Sequence, residues 1–298
     1  MSSNKRRRKE ERVFGIIFIA PAMIQFLVFF LVPLIICIYA SFTNWNALSA
    51  NRSFVGLRNY INIFSDVKFW KSLSNTIYML IPIPFYLILS MLFALACHKK
   101  TPGNKVFRVI YYLPYISSIV ALVIIWKWLF NSEYGLVNNF LQTCFGIKGP
   151  DWLNNPVWTK RMIVIMISWK LIGFTAIYYL AALKNIPQSY YEAAKVDGAT
   201  SVRQFFKITL PLLSPITFYL TVVGLIGSMQ TFLEVQLFTT DGGKNYGVAT
   251  IIYYIWQRAF KYNQLGYACA AATLFSLMIL IITIIQLKLS NKWVYEGE

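Results

Sequence analysis

Charge is scarce in this sequence. Only 13% of its 298 residues are Asp, Glu, Lys or Arg, against about a quarter in a soluble domain. Meanwhile 57% are hydrophobic and 17% aromatic, and the mean hydropathy is +0.54. A water-soluble globular chain is excluded on that balance. Histidine is almost absent too: His98 is the single one. It stands at the edge of an apolar run, where an interfacial residue is the plainer reading. No Ser/His/Asp relay or pair of carboxylates is visible, so acid–base and nucleophilic catalysis lack their parts. The four cysteines, Cys37, Cys97, Cys144 and Cys269, show no metal-ligand spacing, and three lie in or beside apolar runs, where a thiol packs. A disulfide or metal site is not expected. There is no G-x-x-x-x-G-K-[ST] phosphate loop. Gly242-Gly243-Lys244 lacks both the upstream glycine and the following hydroxyl, so ATP cannot be held that way.

What the chain has is long apolar runs. About twenty apolar residues cross a bilayer, and by that measure six spans are read: 13–42, 75–97, 107–130, 162–183, 208–235 and 267–287. The first is longer than a crossing needs and contains Pro21 and Pro33, so a kink or an interfacial portion is expected. Its apolar stretch is too long for a signal peptide and no small-x-small cleavage site follows, which makes it an anchor. Residues 1–12 form a basic leader and 13–298 one six-helix membrane domain. No internal repeat or further low-complexity segment is evident.

The net charge of +17 raises the question of nucleic acid, which the placement of the cations answers. Lys5, Arg6, Arg7, Arg8, Lys9 and Arg12 hold the N-terminus inside by the positive-inside rule, and six spans return the C-terminus to the same side. The inner segments then hold sixteen basic residues and the outer loops ten. The cations follow membrane topology, and no nucleic-acid partner is expected.

One inner segment, 184–207, carries its own helix punctuation. Pro187 suits a helix start. Gly198 suits a helix end, because glycine takes positive φ without penalty. Ser201 with Gln204 reads as a capping box for a second helix. Tyr190, Tyr191, Ala194, Phe205 and Phe206 would be exposed apolar groups on a loop, a mark of an interface. Glu192-Ala193-Ala194, then Gly198, then Ile208-x-Leu210-Pro211 follow in twenty residues. That spacing resembles the EAA loop of ABC importer permeases, which docks into the ATP-hydrolysing subunit.

A second series agrees. Pro21-Ala22, Pro33 and Ser41-Phe42-Thr43 are followed by Phe54-Val55-Gly56-Leu57-x-Asn59-Tyr60, then Phe69-Trp70 and Asn75-Thr76. Leu113-Pro114-Tyr115 and Asp241-Gly242-Gly243 complete the order. Over nearly the whole chain this resembles the permeases of bacterial carbohydrate ABC importers, on the side of the larger maltose permease. It departs from that protein in having six spans and an outer loop, 131–161, too short for a large periplasmic domain.

The resemblance implies an all-α type I ABC importer permease in a bacterial plasma membrane. It implies a second homologous permease, two ATPase subunits that bind ATP and Mg, and an extracytoplasmic binding protein delivering sugar. The chain itself would be no enzyme and hold no cofactor. Glu192 would meet a basic residue of the ATPase; a solvated charge at a helix start is the plainer alternative. Carried over from the larger permease, the sugar contacts match Tyr115, Trp169, Gly173, Ser228 and Thr231, with Gln230 close by. Packing between helices accounts for Tyr115 and Trp169 equally well.

Charges within spans are costly. Lys127 lies near an outer end and can snorkel. Lys170, in span four, and Glu234, near the outer end of span five, can pair across a cavity, structurally or beside a substrate. A permease for glycerol phosphate or another small solute is the same-fold alternative. A secondary transporter would need coupling carboxylates, of which only Glu234 qualifies.

Overall fold

The computed structural model describes residues 2–49, 52–98, 103–291 and 293–295, with side chains described from residue 14 onward except at 104 and 105. Among these residues the one strand-like pairing is an isolated antiparallel bridge between Thr43 and Phe54; the regular elements are helices. The all-α membrane fold is thus as expected. Four helices are each long and apolar enough to cross a bilayer, and two bent pairs bring the number to six. Packing divides the chain into two units: Met1–Ser65 with Ile255–Phe275, and Asp66–Tyr254 with Ser276–Glu298.

In the first unit, Phe14–Ser41 is a single span of 28 residues. Neither proline breaks it. The helix passes through Pro21, and a π turn at Leu27–Leu31 precedes Pro33, with the Val32 N–H bonded to Leu27 O. A ladder widened by one residue accommodates the position where proline has no N–H to give. The far end of this span is closed by the run that starts at Phe54. Asn59 Nδ2 donates to Ser41 O at 2.9 Å and to Thr43 O at 2.8 Å, while the Tyr60 hydroxyl meets Ser41 Oγ at 2.6 Å. Such carbonyls at a helix C-terminus have no partner of their own, so this part of the sequence series is a helix cap. Gly266 brings the start of the last span against the same strand of backbone: a Cβ there would lie 2.1 Å from Thr43 O.

In the second unit, the second span starts at Val67 instead of residue 75. Asp66 caps it, accepting the Lys68 N–H at 2.8 Å. The added turns bury Ser72 beside Phe69 and Leu73, and Asn75 and Thr76 are buried directly after them; Lys68, Lys71 and Ser72 lower the hydropathy there and hid these turns from the sequence. Ser72 Oγ donates to Lys68 O at 2.8 Å within the helix, and the other two hold the run 246–251. Asn75 Nδ2 donates to Tyr246 O at 3.2 Å and Ala249 O at 2.9 Å, and Thr76 Oγ1 accepts the Ile251 N–H at 2.8 Å.

Span three is not one rod. Val106–Ile116 and Ile119–Leu129 meet at 97°, because Ser117 is extended, with its hydroxyl donating to Leu113 O at 2.8 Å. Span four, Pro156–Lys184, starts six residues before the expected 162, capped by Asn155, whose side chain accepts the Val157 N–H at 3.0 Å. It packs on Pro82–His98, where Ser90 Oγ donates to Ile172 O at 2.9 Å. Span five bends by 58° between Ser201–Leu212 and Ser214–Met229. It ends at Met229, short of the expected 235, and a separate helix, Leu233–Phe238, follows. Span six is Leu265–Ser290.

Candidate functional site: an exposed helical hook and a polar cavity

Span four continues into the hook. Pro187 takes the cap position of Gln188–Val196, one residue outside the helix. Gly198 has φ +72. Its N–H reaches Lys195 O at 3.0 Å and the Ala199 N–H reaches Ala194 O at 2.8 Å, the paired bonds of a Schellman end. No atom lies within 4 Å of a Cβ built on Gly198, so backbone conformation alone calls for glycine. The next helix is capped one residue earlier than the sequence suggested. Thr200 accepts the Arg203 N–H at 3.3 Å, and Gln204 Nε2 turns back to Ala199 O at 3.1 Å. Ser201 is the first helical residue because the extended conformation a cap needs falls on Thr200.

Glu192 and Ala193 are exposed and Ala194 half-buried. Tyr190 and Phe206 are exposed as expected, and they are joined by Val196, 89% exposed, and Val202, 66% exposed. The two valines were legible only as members of an amphipathic surface. Tyr191 is turned inward instead, its hydroxyl 2.9 Å from Thr209 Oγ1. Thr209 closes a π turn, Phe205–Thr209, in which the Leu210 N–H bonds to Phe205 O ahead of Pro211. Ile208, Leu210 and Pro211 are half-buried. Pro211 O accepts the Ser214 hydroxyl at 2.7 Å across the bend. The Glu-Ala-Ala series therefore forms a hook, a hydrogen bond and a bent helix in sequence.

That bent helix lines a cavity of about 310 Å³. Tyr115 and Phe174 stack there with ring centres 4.1 Å apart and planes at 14°, giving an aromatic wall. Ser228, Gln230 and Thr231 line the cavity with Lys170 and Glu234. Among the described residues Lys170 and Glu234 form no ion pair, though they share this cavity. Thr231 Oγ1 donates to Ser228 O at 2.8 Å. Ser228 Oγ is buried and has no partner, an arrangement that costs free energy unless something enters to meet it. Gly224 lets Tyr86 lie across the wall, since a Cβ there would be 2.0 Å from the Tyr86 hydroxyl oxygen.

Two of the sequence candidates are elsewhere. Trp169 does not line the cavity; it is 40% exposed and tilts against Trp126 at 5.9 Å. Gly173 is a contact glycine, where a Cβ would fall 1.8 Å from Tyr111 O. Both lie on one face of span four, but that face meets span three. The cavity face is Ile167, Lys170, Leu171 and Phe174, one residue round the helix, and one residue is about 100°. Phe174 was not singled out from the sequence, because aromatic residues recur along the entire span. Lys127, expected to snorkel, donates to Leu237 O at 3.3 Å. No cluster able to hold a metal ion occurs among the described residues.

Comparison with known proteins accords with this geometry. The chain is 35% identical to the probable ABC transporter permease protein YesP of Bacillus subtilis over 97% of this chain and 94% of that one. It is 34% identical to the lactose transport system permease protein LacF of Rhizobium radiobacter, with 91% and 92% covered. Its structure superposes with a TM-score of 0.85, at 25% identity and 99% coverage of both chains, on a chain from the crystal structure of a bacterial alginate ABC transporter in complex with an alginate pentasaccharide-bound periplasmic protein. Residues 69–294 match the family described as binding-protein-dependent transport system inner membrane component. The chain belongs to that family, the membrane-spanning permease subunits of ABC importers.

Proposed function

We propose that this chain forms half of the translocation pathway for a sugar or oligosaccharide and transmits the work of separate ATPase subunits to it. Substrate passes along the cavity between spans three, four and five. The Tyr115–Phe174 wall meets the apolar face of a sugar ring, and Ser228, Gln230 and Thr231 meet its hydroxyl groups. Glu192 and the exposed Tyr190, Val196, Val202 and Phe206 form the docking face for an ATPase. A second homologous permease completes the pathway, two ATPases bind ATP and Mg, and a binding protein delivers the sugar from outside. The basic leader supports a cytoplasmic N-terminus, which puts the hook and the C-terminus on the same side of a bacterial plasma membrane.

The observation that carries this reading is the unbroken mechanical path from hook to cavity. A Schellman-closed helix is bonded through Tyr191 to the π turn in the first arm of the bent span five, whose second arm carries Ser228 near its end. Movement of the hook is thereby movement of a cavity wall, as alternating access requires. The lactose, alginate and related carbohydrate systems among its relatives support a sugar as the substrate. Purification from native membranes tests the assembly: an ATPase and a second permease should accompany the chain, and Glu192→Lys should release the ATPase while leaving the permease inserted. A chain that purifies alone and transports alone would overturn the reading in favour of a secondary transporter.

A further inference from the structure

The loop between spans three and four carries an amphipathic helix whose apolar half is largely uncovered. Leu136–Phe145 ends at a left-handed Gly146. A helix turns about 100° per residue. On that count Leu136, Val137, Phe140, Leu141, Cys144 and Phe145 cover one half of its circumference, and Asn138, Asn139, Gln142 and Thr143 the other. On a loop in water the apolar half would turn to the protein. Here the protein covers only the seam between the halves: Val137, Asn138 and Leu141 are half-buried, while Asn139, Gln142 and Thr143 of the polar half are exposed. Asn138 Oδ1 accepts from Trp152 Nε1 at 2.7 Å and Asn138 Nδ2 donates to Ser132 O at 3.2 Å. Gly149 presses on the same side, where a Cβ would fall 1.9 Å from Asn138 Oδ1. Most of the apolar half is nevertheless left uncovered, with Leu136 51%, Phe140 59% and Phe145 64% exposed, and Cys144 exposed beside them.

We propose that this face is immersed in the bilayer, in the leaflet on the side opposite Glu192, and anchors the loop as an interfacial helix. Three observations choose lipid as the occupant. The helix packs beside the span segment Ile119–Leu129, whose Val120, Ile124, Ile125 and Trp128 are also exposed, so a lipid-facing surface continues onto it. Next to it runs a chain of rings, Phe130 to Trp152 at 5.1 Å and Trp152 to Trp158 at 5.0 Å, with Arg161 over Trp158 at 4.6 Å. Tryptophan and arginine gather in this way at a membrane–water boundary. Finally, the exposed polar half, Asn139, Gln142 and Thr143, lies beside the exposed apolar half, the two-sided pattern of a helix lying in a membrane–water interface. Lys148 follows the helix, where its ammonium group can reach lipid phosphates.

The experiment uses the full chain with its partner subunits in lipid nanodiscs. Cys37, Cys97 and Cys269 are replaced by Ala, and spin labels are placed singly at Cys144 and, with Cys144 replaced by Ala as well, at Phe140→Cys and at Asn139→Cys. At Cys144 and Phe140→Cys, collisions with oxygen should exceed those with a water-soluble nickel chelate several-fold, and the ratio should reverse at Asn139→Cys. Chelate-dominated collisions at all three sites would put the face in water and overturn the proposal. Exclusion of both reagents at Cys144 and Phe140→Cys would mean a protein cover, a second permease or a binding protein, and would overturn it equally. Should the alanine background fail to assemble, brief labelling of the unaltered chain at its exposed Cys144 with a fluorophore replaces it. Quenching by brominated lipid is then the expected result, and its absence the contrary one.

Discussion

The Tyr191 hydroxyl lies 2.9 Å from Thr209 Oγ1, joining the exposed Gln188–Val196 helix to the π turn of span five. Thr209 is 4% exposed, so little water competes for the bond. A neutral hydrogen bond contributes about 1 kcal/mol net. Tyr191→Phe is therefore expected to leave assembly and ATPase docking intact and lower uptake per assembled complex several-fold. Thr209→Val should do the same, and the double variant should be no worse than either, since both remove one interaction. Full additivity in uptake would show that the two side chains act separately.

At Gly198 the constraint is backbone and not space. With φ at +72 and nothing within 4 Å of a Cβ, Gly198→Val should cost the hook roughly 1–2 kcal/mol of conformational strain. Gly198→Asn, which tolerates this region better, should retain much of the function. Uptake per inserted permease, measured for both, should fall in the order Gly, Asn, Val. Equal uptake by Val would show that the turn is not needed in its left-handed form.

The cavity makes a comparison between aromatic residues. Phe174→Ala and Tyr115→Ala should each reduce uptake about tenfold or more per assembled complex, the loss of a stacking wall. Trp169→Ala, outside the cavity, should act through assembly and stability instead. Ser228→Ala is the sharper probe: its hydroxyl has no partner in the fold, so removal should leave thermal stability unchanged or raised while uptake drops. Sugar uptake alongside a melting curve for the four variants separates these roles, and unaltered uptake in Ser228→Ala would take that hydroxyl out of the pathway.

Asp151 gives the outer loop a pH dependence. Burial raises its pKa, but hydrogen bonds from the Asn154 backbone and side chain, the Ser132 hydroxyl and the Leu153 backbone together outweigh this and hold it below the ordinary aspartate value. A carboxyl lowered on folding stabilises fully above its unfolded pKa, near 4. That stabilisation is lost as pH falls through the lowered folded value. Amide exchange over 131–155, corrected for intrinsic rates, should therefore quicken between about pH 5 and pH 3. In Asp151→Asn the pH step should vanish.

Much of this protein is determined by sequence alone, because its physics is local. Apolar runs long enough for a bilayer specify the spans wherever both faces are apolar, as in Phe14–Ser41 and Leu265–Ser290. Gly198 announces a left-handed helix end, and the Glu192–Pro211 spacing announces the hook. The tertiary structure decided what depends on how elements turn toward one another. Asn75 and Thr76 looked like the start of a span and proved to lie about two turns inside it, buried to hold a loop more than 160 residues away, 171 to Tyr246. Pro33 and Pro211 each stand in a helix that continues through a π turn, whereas Ser117, with nothing in its type to suggest it, marks a 97° bend. Trp169 and Phe174 are equally plausible in sequence; a rotation of span four, set by Gly173 against Tyr111 O, gives the cavity to Phe174. The Leu136–Phe145 helix shows the same limit most plainly. Its two halves are legible from residue order, but that the protein covers only the seam at Val137, Asn138 and Leu141 was decided by packing and the bonds of Asn138. Periodicity reports that a helix has two sides; only packing partners assign each side its neighbour.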